Sequence, residues 1–330
     1  MLRAAPLAVL LLALTQPRAG TTQTPQPVSR ARDQLVRYAE GLLDPRHRRA
    51  TEGNHVVVVT DSPFPETEVA MARNFEAVFR VLQNILRVPD AGGSLDESLK
   101  VRAYLFKTQQ QYESFAKYAE PRAAGRTAGM YFSGFGILAF HLESYTQPWL
   151  RHVMLHECTH AFLDRRVQLT DRFFPSWLNE GLAEYIGLSD VSNGQVHVGV
   201  FTTKTRHESF EGTLIVRSQA ADQLSAARRA IRHELTLDEL LTIDPTSIAD
   251  DDRLQEYYAA SWLFVDLLRS GRPTWPEQQF PALVREIGAG HSDRETLETV
   301  YGLSAKDLET GLARHIKNYK LVRGWSAPED

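Results

Sequence analysis

The chain has 330 residues, of which 43% are hydrophobic and 24% are charged, and its formal net charge is −4. This composition is typical of a globular protein with one large domain or two modest ones. A mildly acidic chain without a long basic run is a poor candidate for nucleic-acid binding. Cys158 is the only cysteine, so no internal disulfide can form and the core must hold the fold.

Residues 1–20 have the pattern of a secretory signal peptide. A short positive start precedes an apolar run, Ala4 to Leu14, that is too short to span a bilayer as a helix. The Thr-, Gln- and Pro-rich stretch that follows predicts a flexible mature N-terminus over residues 21–30. We therefore expect an exported protein, periplasmic or extracellular, with no stable membrane span and a charge of about −6 after leader removal. Pro17 makes the cleavage site poor, so an uncleaved N-terminal membrane anchor is the alternative.

Residues 31–170 are predicted to alternate helices and strands. Apolar residues at helical spacing and β-branched runs of strand length carry this prediction. The predicted helices are Arg30–Leu43, Glu66–Leu86, Gln109–Tyr118 and Trp149–Arg166. The predicted strands are His55–Thr60, Val101–Phe106 and, over Gly129–His141, either a strand pair or one bulged strand.

Residues 171–330 are predicted to be mostly helical, and Ser176 is the expected N-cap of their first helix. One short strand, Gln195–Phe201, interrupts them. The predicted helices are Trp177–Leu188, Leu237–Leu241, Asp251–Leu268, Gln278–Ile287, Arg294–Tyr301 and Ala305–Tyr319. The sequence thus predicts an α+β fold with a mixed N-terminal half, a helical C-terminal half and an active-site cleft between them.

The sequence His156-Glu157-Cys158-Thr159-His160 has the spacing of a metal site. Histidines at positions i and i+4 of a helix lie on one face, so both rings can reach one zinc ion. Glu157, next to the first histidine, can act as a base on a water without ligating the metal. The alternative is an amphipathic helix that carries two surface histidines.

A second segment, from Trp177 to Tyr185, places Glu180 and Glu184 at i and i+4 of another helix. Glu180 can supply a third ligand, and Glu184 can bond the outer nitrogen of a ligand histidine. The helix is otherwise apolar, and burial of unpaired carboxylates is costly, so a metal explains the pair better than a solvated surface does.

These two motifs, the histidine pair and Asn179-Glu180-Gly181-Leu182-Ala183-Glu184, resemble those of the gluzincin metallopeptidases. The match is closest to the small secreted bacterial peptidase MA-like proteins. The resemblance implies a zincin fold with His156, His160 and Glu180 as zinc ligands, Glu157 as general base and Glu184 behind the ligands. The metzincin pattern fits less well, because Leu163 and Arg166 stand where it has a glycine and a ligand histidine.

In gluzincins an edge strand before the metal helix pairs with the extended substrate, and Gly129, Met130 and Tyr131 occupy that place here. An ordinary core strand is the alternative. Aminopeptidases of the family carry a glutamate there that grips the substrate amine, and none follows Gly129. An endopeptidase is therefore favoured over an aminopeptidase.

Stabilisation of an oxyanion needs a donor across from the metal. Tyr258 is placed like the tyrosine of the aminopeptidase relatives, with Tyr257 in reserve and His207 or His233 as alternatives. His152 is expected on the helix surface rather than as a ligand. Cys158 is expected to point away from the metal as a small buried apolar residue.

The predicted function is that of a zinc-dependent hydrolase, most simply a peptidase acting on a peptide or protein substrate. The alternative is a zinc-bearing binding or processing scaffold with little turnover, which an intact Glu157 argues against. A purely structural zinc would close all four positions, usually with Cys and His. No sequence feature specifies an oligomeric state.

Overall fold

The computed structural model describes residues 26–88, 100–121, 127–143, 147–167, 174–192, 194–201, 208–210, 213–215, 219–270, 276 and 278–321. The predicted signal peptide and the candidate His207 lie outside these ranges. Within them, no helix is both long enough and apolar enough to cross a membrane.

The N-terminal part of the fold is built on a mixed five-stranded sheet with the order β1-β2-β3-β5-β4. The strands are β1 (Arg49–Glu52), β2 (Val56–Thr60), β3 (Val101–Phe106), β4 (Gly129–Phe132) and β5 (Ile137–His141). Strands β2, β3 and β5 are parallel, whereas β1 and β4 pair antiparallel at the two edges. The predicted strands β2 and β3 are confirmed. Strand β1 was not predicted, because it has only four residues and most of them are polar.

Of the two predictions for residues 129–141, the strand pair is correct. Strands β4 and β5 form a hairpin in which Tyr131 lies opposite Leu138. Its turn contains Gly134 and Gly136 at φ of 78° and 64°, a left-handed conformation that favours glycine. The hairpin makes β4 an edge strand that is antiparallel to its neighbour.

Helices cover both faces of this sheet: α1 (Gln26–Leu42), α2 (Thr67–Leu86) and α3 (Gln109–Ala119). Alternate residues of β2 divide between the two faces, with Val57 packed in the cluster of α1 and α3 and Val58 in the cluster of α2. Every residue of β2 is buried for this reason, as in sheets covered on both sides. Helix α1 starts at Gln26, four residues before the predicted start at Arg30.

The rest of the described chain is mainly helical, in agreement with the prediction of an α+β fold. The helices are α4 (Gln147–Arg166), α5 (Ser176–Gly187), α6 (Gln219–Arg232), α7 (Leu237–Thr242), α8 (Asp251–Ser270), α9 (Gln279–Gly288), α10 (Asp293–Tyr301) and α11 (Ala305–Asn318). Two short hairpins intervene: β6 (Ser189–Ser192) with β7 (Gln195–Phe201), and β8 (Glu208–Phe210) with β9 (Thr213–Ile215). One apolar cluster joins α2, α4, α5 and α8, so packing is continuous across the boundary predicted near residue 170.

Helix α5 is packed tightly between α4 and α8, and two glycines permit the close approach. A Cβ atom on Gly181 would lie 2.5 Å from the Ser261 carbonyl oxygen of α8. A Cβ atom on Gly187 would lie 3.2 Å from the His152 carbonyl oxygen of α4. The predicted N-cap at Ser176 is wrong by one residue, because the cap is Pro175. The backbone carbonyl oxygen of Pro175 accepts a hydrogen bond from Leu178 N–H at 3.0 Å. The glycines thus set the depth at which α5 presents its carboxylates to α4.

Candidate metal centre

Helices α4 and α5 bring His156, His160 and Glu180 together. Oε2 of Glu180 lies 3.3 Å from Nε2 of His156 and 3.5 Å from Nε2 of His160. One ligand atom from each of the three residues lies within 4.8 Å of the others, close enough to hold one metal ion. The i, i+4 spacing on α4 aligns the two rings, and the packing of α5 on α4 supplies the carboxylate.

The chemistry of these atoms fits a metal ion. The three side chains are at most 6% exposed. Nε2 of His156, Nε2 of His160 and Oε2 of Glu180 are buried atoms without a hydrogen-bond partner in the structure. Buried polar atoms are normally paired, and two imidazole nitrogens with one carboxylate oxygen form a set that suits zinc. The orphaned atoms therefore mark where a cation can be held.

Both histidines of the cluster have a side-chain oxygen next to their outer nitrogen, Nδ1. Nδ1 of His160 lies 3.0 Å from Oδ1 of Asn179, and Nδ1 of His156 lies 3.3 Å from Oε1 of Glu184. Each contact favours a proton on Nδ1, so the lone pair of Nε2 faces the cluster when the ring is neutral. The role of Asn179 was not predicted, although it directly precedes Glu180.

The electrostatics of the cluster favour a positive charge. Burial lowers the pKa of His156, but the carboxylates of Glu180 and Glu184 beside its ring outweigh burial and raise that pKa to about 10. Burial likewise opposes the charged form of His160, yet the charge of Glu180 raises its pKa. Burial raises the pKa of Glu180, but His160 and His156 lower it by a larger amount. The net pKa is below the usual value, so the carboxyl group stays ionised. The cluster therefore favours a positive charge beside its carboxylates, which a metal ion can supply.

Glu157 lies next to this cluster and is held by the edge strand. The backbone N–H of Tyr131 in β4 donates to Oε2 of Glu157 at 2.7 Å. Glu157 is 5% exposed, and burial raises its pKa, partly offset by the charges of His160 and His156. One carboxylate oxygen is thus fixed by β4, and burial shifts the carboxyl group toward its protonated form.

The substrate-strand candidates are buried along the whole of β4. The ring of Phe140 packs over Gly129, where a Cβ atom would come within 2.0 Å of it. Met130 packs on the α1–α3 side of the sheet, and the Tyr131 hydroxyl donates to Asp164 on α4. Tyr131 therefore attaches β4 to α4 by two hydrogen bonds, one from its backbone N–H to Glu157 and one from its hydroxyl to Asp164.

The two candidate tyrosines lie on α8, which packs against α5. Tyr258 is 5% exposed, and burial together with the charges of Glu180 and Glu184 raises its pKa. Burial and the charge of Glu180 also raise the pKa of Tyr257. Both hydroxyls thus stay protonated donors near the carboxylates. His233 is half exposed and bonds Glu256 at 2.9 Å instead of a residue of the cluster.

The prediction that His152 lies on the helix surface is wrong. The side chain is 3% exposed, and its Nε2 lies 3.5 Å from Oε1 of Glu184. It lies one turn before His156 on α4, so α5 covers both histidines.

Two further residues lie beside the cluster. Gln223 of α6 donates to the other oxygen of Glu184 at 3.3 Å, and no sequence pattern predicted this contact. Cys158 is buried, as predicted, with Sγ 3.9 Å from the carbonyl oxygen of Phe75.

Comparison of the sequence with known proteins identifies no relative. No protein-family model matches the chain, and no curated protein matches it at a significant level. The assignment of function therefore depends on the site itself.

Proposed function

We propose that this protein is a zinc-dependent hydrolase, and that its substrate is a peptide or protein. The observation that carries the proposal is the convergence of three buried, unpartnered ligand atoms from His156, His160 and Glu180. Glu157 stands beside them without being one of the three. Three ligands leave one coordination position open, which is the arrangement of a catalytic rather than a structural zinc site.

We further propose that the fold is zincin-like, of the gluzincin type. Two features support this: the helix with the histidine pair packs against a mixed sheet, and an antiparallel edge strand of that sheet contacts the adjacent glutamate. The third ligand comes from the next helix, as the motif resemblance implies.

His156, His160 and Glu180 would hold the zinc ion. Bound there, zinc would supply Lewis acidity, which makes a water more acidic and a carbonyl more electrophilic. Glu157 would take the proton of the attacking water and pass it to the leaving amine, a role that its raised pKa favours. Tyr131 N–H holds one oxygen of Glu157, so the other is left to carry the proton. Tyr258, a protonated donor on α8, would hydrogen-bond the developing oxyanion.

An extended peptide is the substrate class that the edge strand supports. Strand β4 is the last strand in the sheet order of the described residues, so one of its backbone edges pairs with no strand there, and an extended chain can pair with such an edge. Because Glu157 already occupies the Tyr131 N–H, pairing would use the remaining backbone groups of β4. No carboxylate of β4 is present to grip a free amine, so we propose internal cleavage of the chain.

The experiment is peptide-library cleavage mapped by mass spectrometry, with the zinc-loaded wild type, Glu157→Gln and His160→Ala. We expect cuts at internal positions by the wild type alone. Glu157→Gln should bind one zinc per chain and cut nothing, because it keeps the three ligands and loses the base. Zinc binding without cleavage by the wild type would overturn the peptidase and favour a zinc-bearing binding scaffold.

We also propose that the protein is exported, on the strength of the leader-like pattern of residues 1–20. The mass of the chain recovered from an expressing bacterial cell tests this. Loss of about 20 residues in the extracytoplasmic fraction is the expected result. An unprocessed chain that remains in the membrane fraction would instead support the N-terminal anchor.

A further inference from the structure

Glu184 is surrounded by donors from two other helices, α4 and α6. Its Oε1 lies 3.3 Å from Nδ1 of His156 and 3.5 Å from Nε2 of His152, and its Oε2 accepts from Nε2 of Gln223 at 3.3 Å. Glu184 is 1% exposed, and both histidines are at most 3% exposed. A carboxylate this deeply buried needs such donors, because an unpaired charge away from water is strongly unfavourable.

The arrangement follows from the helical spacing of two elements. His152 and His156 are one turn apart on α4, so both rings point at the same side of α5. Gly187 lets α5 approach there, since its Cα faces the backbone of His152 and the Cβ atom of His156. The result is a line of contacts from His152 through Glu184 to the outer nitrogen of a candidate ligand.

We propose that His152 is a positioning residue for the metal centre: acting through Glu184, it fixes the ring of His156, and Gln223 holds the second oxygen of Glu184. This inference rests on the proposed function. Partners behind a ligand histidine set the tautomer and orientation of its ring, and their loss typically weakens metal binding by about 10- to 100-fold. His152 extends that support by one more residue.

The same atoms allow a competing role. One ligand atom each of His152, His156 and Glu184 lies within 4.8 Å of the others, so these residues could themselves bind a second ion. That would require His156 to ligate through both ring nitrogens and to lose both ring protons. The positioning role needs only neutral imidazoles that donate to Glu184, and it is chemically simpler.

The experiment uses the full chain and measures zinc dissociation constants by competition with a chelator, together with the visible spectrum of the cobalt-loaded protein. His152→Ala removes the donor, whereas His152→Gln keeps an amide N–H at similar reach. His55→Gln is the control, because His55 is also a buried histidine, 6% exposed, that bonds a carboxylate, Glu76, at 2.7 Å. Thermal melting monitors folding of each variant.

We expect His152→Ala to weaken zinc binding by about 10-fold and to shift the cobalt spectrum, with His152→Gln within about 2-fold of the wild type. Gln223→Ala, at a half-buried position, should weaken binding by about 10-fold at most, without unfolding the chain. His55→Gln should lower the melting temperature and leave the zinc constant unchanged.

Two results would overturn the inference while leaving the proposed function intact. The first is unchanged zinc affinity in folded His152→Ala and Gln223→Ala. The second is two zinc ions in the wild type and one in His152→Ala, which would assign His152 as a ligand. A wild type that binds no zinc would overturn the proposed function as well.

Discussion

Substitution of Gly181 by alanine tests how closely α5 packs on α8. The new Cβ atom would lie 2.5 Å from the Ser261 carbonyl oxygen and 2.8 Å from Cγ2 of Val265. Normal contact distances require the helices to separate by about 0.9 Å. Part of the obstruction is backbone of α8, so a side-chain rotation cannot relieve it.

The expected cost follows from two opposed effects. Overpacking of a core of this kind costs about 1–3 kcal/mol, and the higher helix propensity of alanine returns up to about 1 kcal/mol. We expect a net loss of about 1–2 kcal/mol in the free energy of unfolding. For a chain of this length, that lowers the melting temperature by about 1–3 °C.

The matched control is Gly41→Ala in α1, where a Cβ atom meets nothing within 4 Å. This variant gains helix propensity without a clash, so its melting temperature should rise. Differential scanning calorimetry of the metal-free chains measures both. A melting temperature of Gly181→Ala at or above that of the wild type would show that α5 and α8 are not in the close contact described above.

Two further predictions concern the cluster and the strand beside it. Because carboxylates raise the pKa of His156 to about 10, zinc binding at pH 8 should release a proton, and affinity should fall as pH decreases. Calorimetry in buffers of different ionisation enthalpy measures that proton, and an enthalpy independent of buffer would contradict it. Tyr131→Phe removes the hydroxyl bond to Asp164 but keeps the N–H that holds Glu157, so we expect a loss of about 1–2 kcal/mol of stability with zinc affinity unchanged. Urea unfolding and zinc titration measure the two quantities, and weaker zinc binding would show that Asp164 supports the ligands too.

The longer helices and strands could be predicted from the sequence, because residues close together in the chain determine them. The β-branched run of β2 and the apolar spacing of α2 predicted those elements nearly to the residue. The i, i+4 spacing of His156 and His160 fixed their common face on α4 before any packing was known. Polar β1 and the one-residue error at Ser176 show the limit, since short elements and caps carry little periodic signal.

The tertiary structure alone decided which groups meet across elements. Spacing made Glu180 and Glu184 available on one helix, but the packing of α5 on α4 aligned each with its histidine. His152 is buried only because α5 covers its turn of α4, which no local pattern encodes. The bond from Tyr131 N–H to Glu157 joins residues 26 positions apart, and the bond from Gln223 to Glu184 joins residues 39 apart. Periodicity shows which side chains share a face, whereas the partner of that face is set by the packing of the whole core.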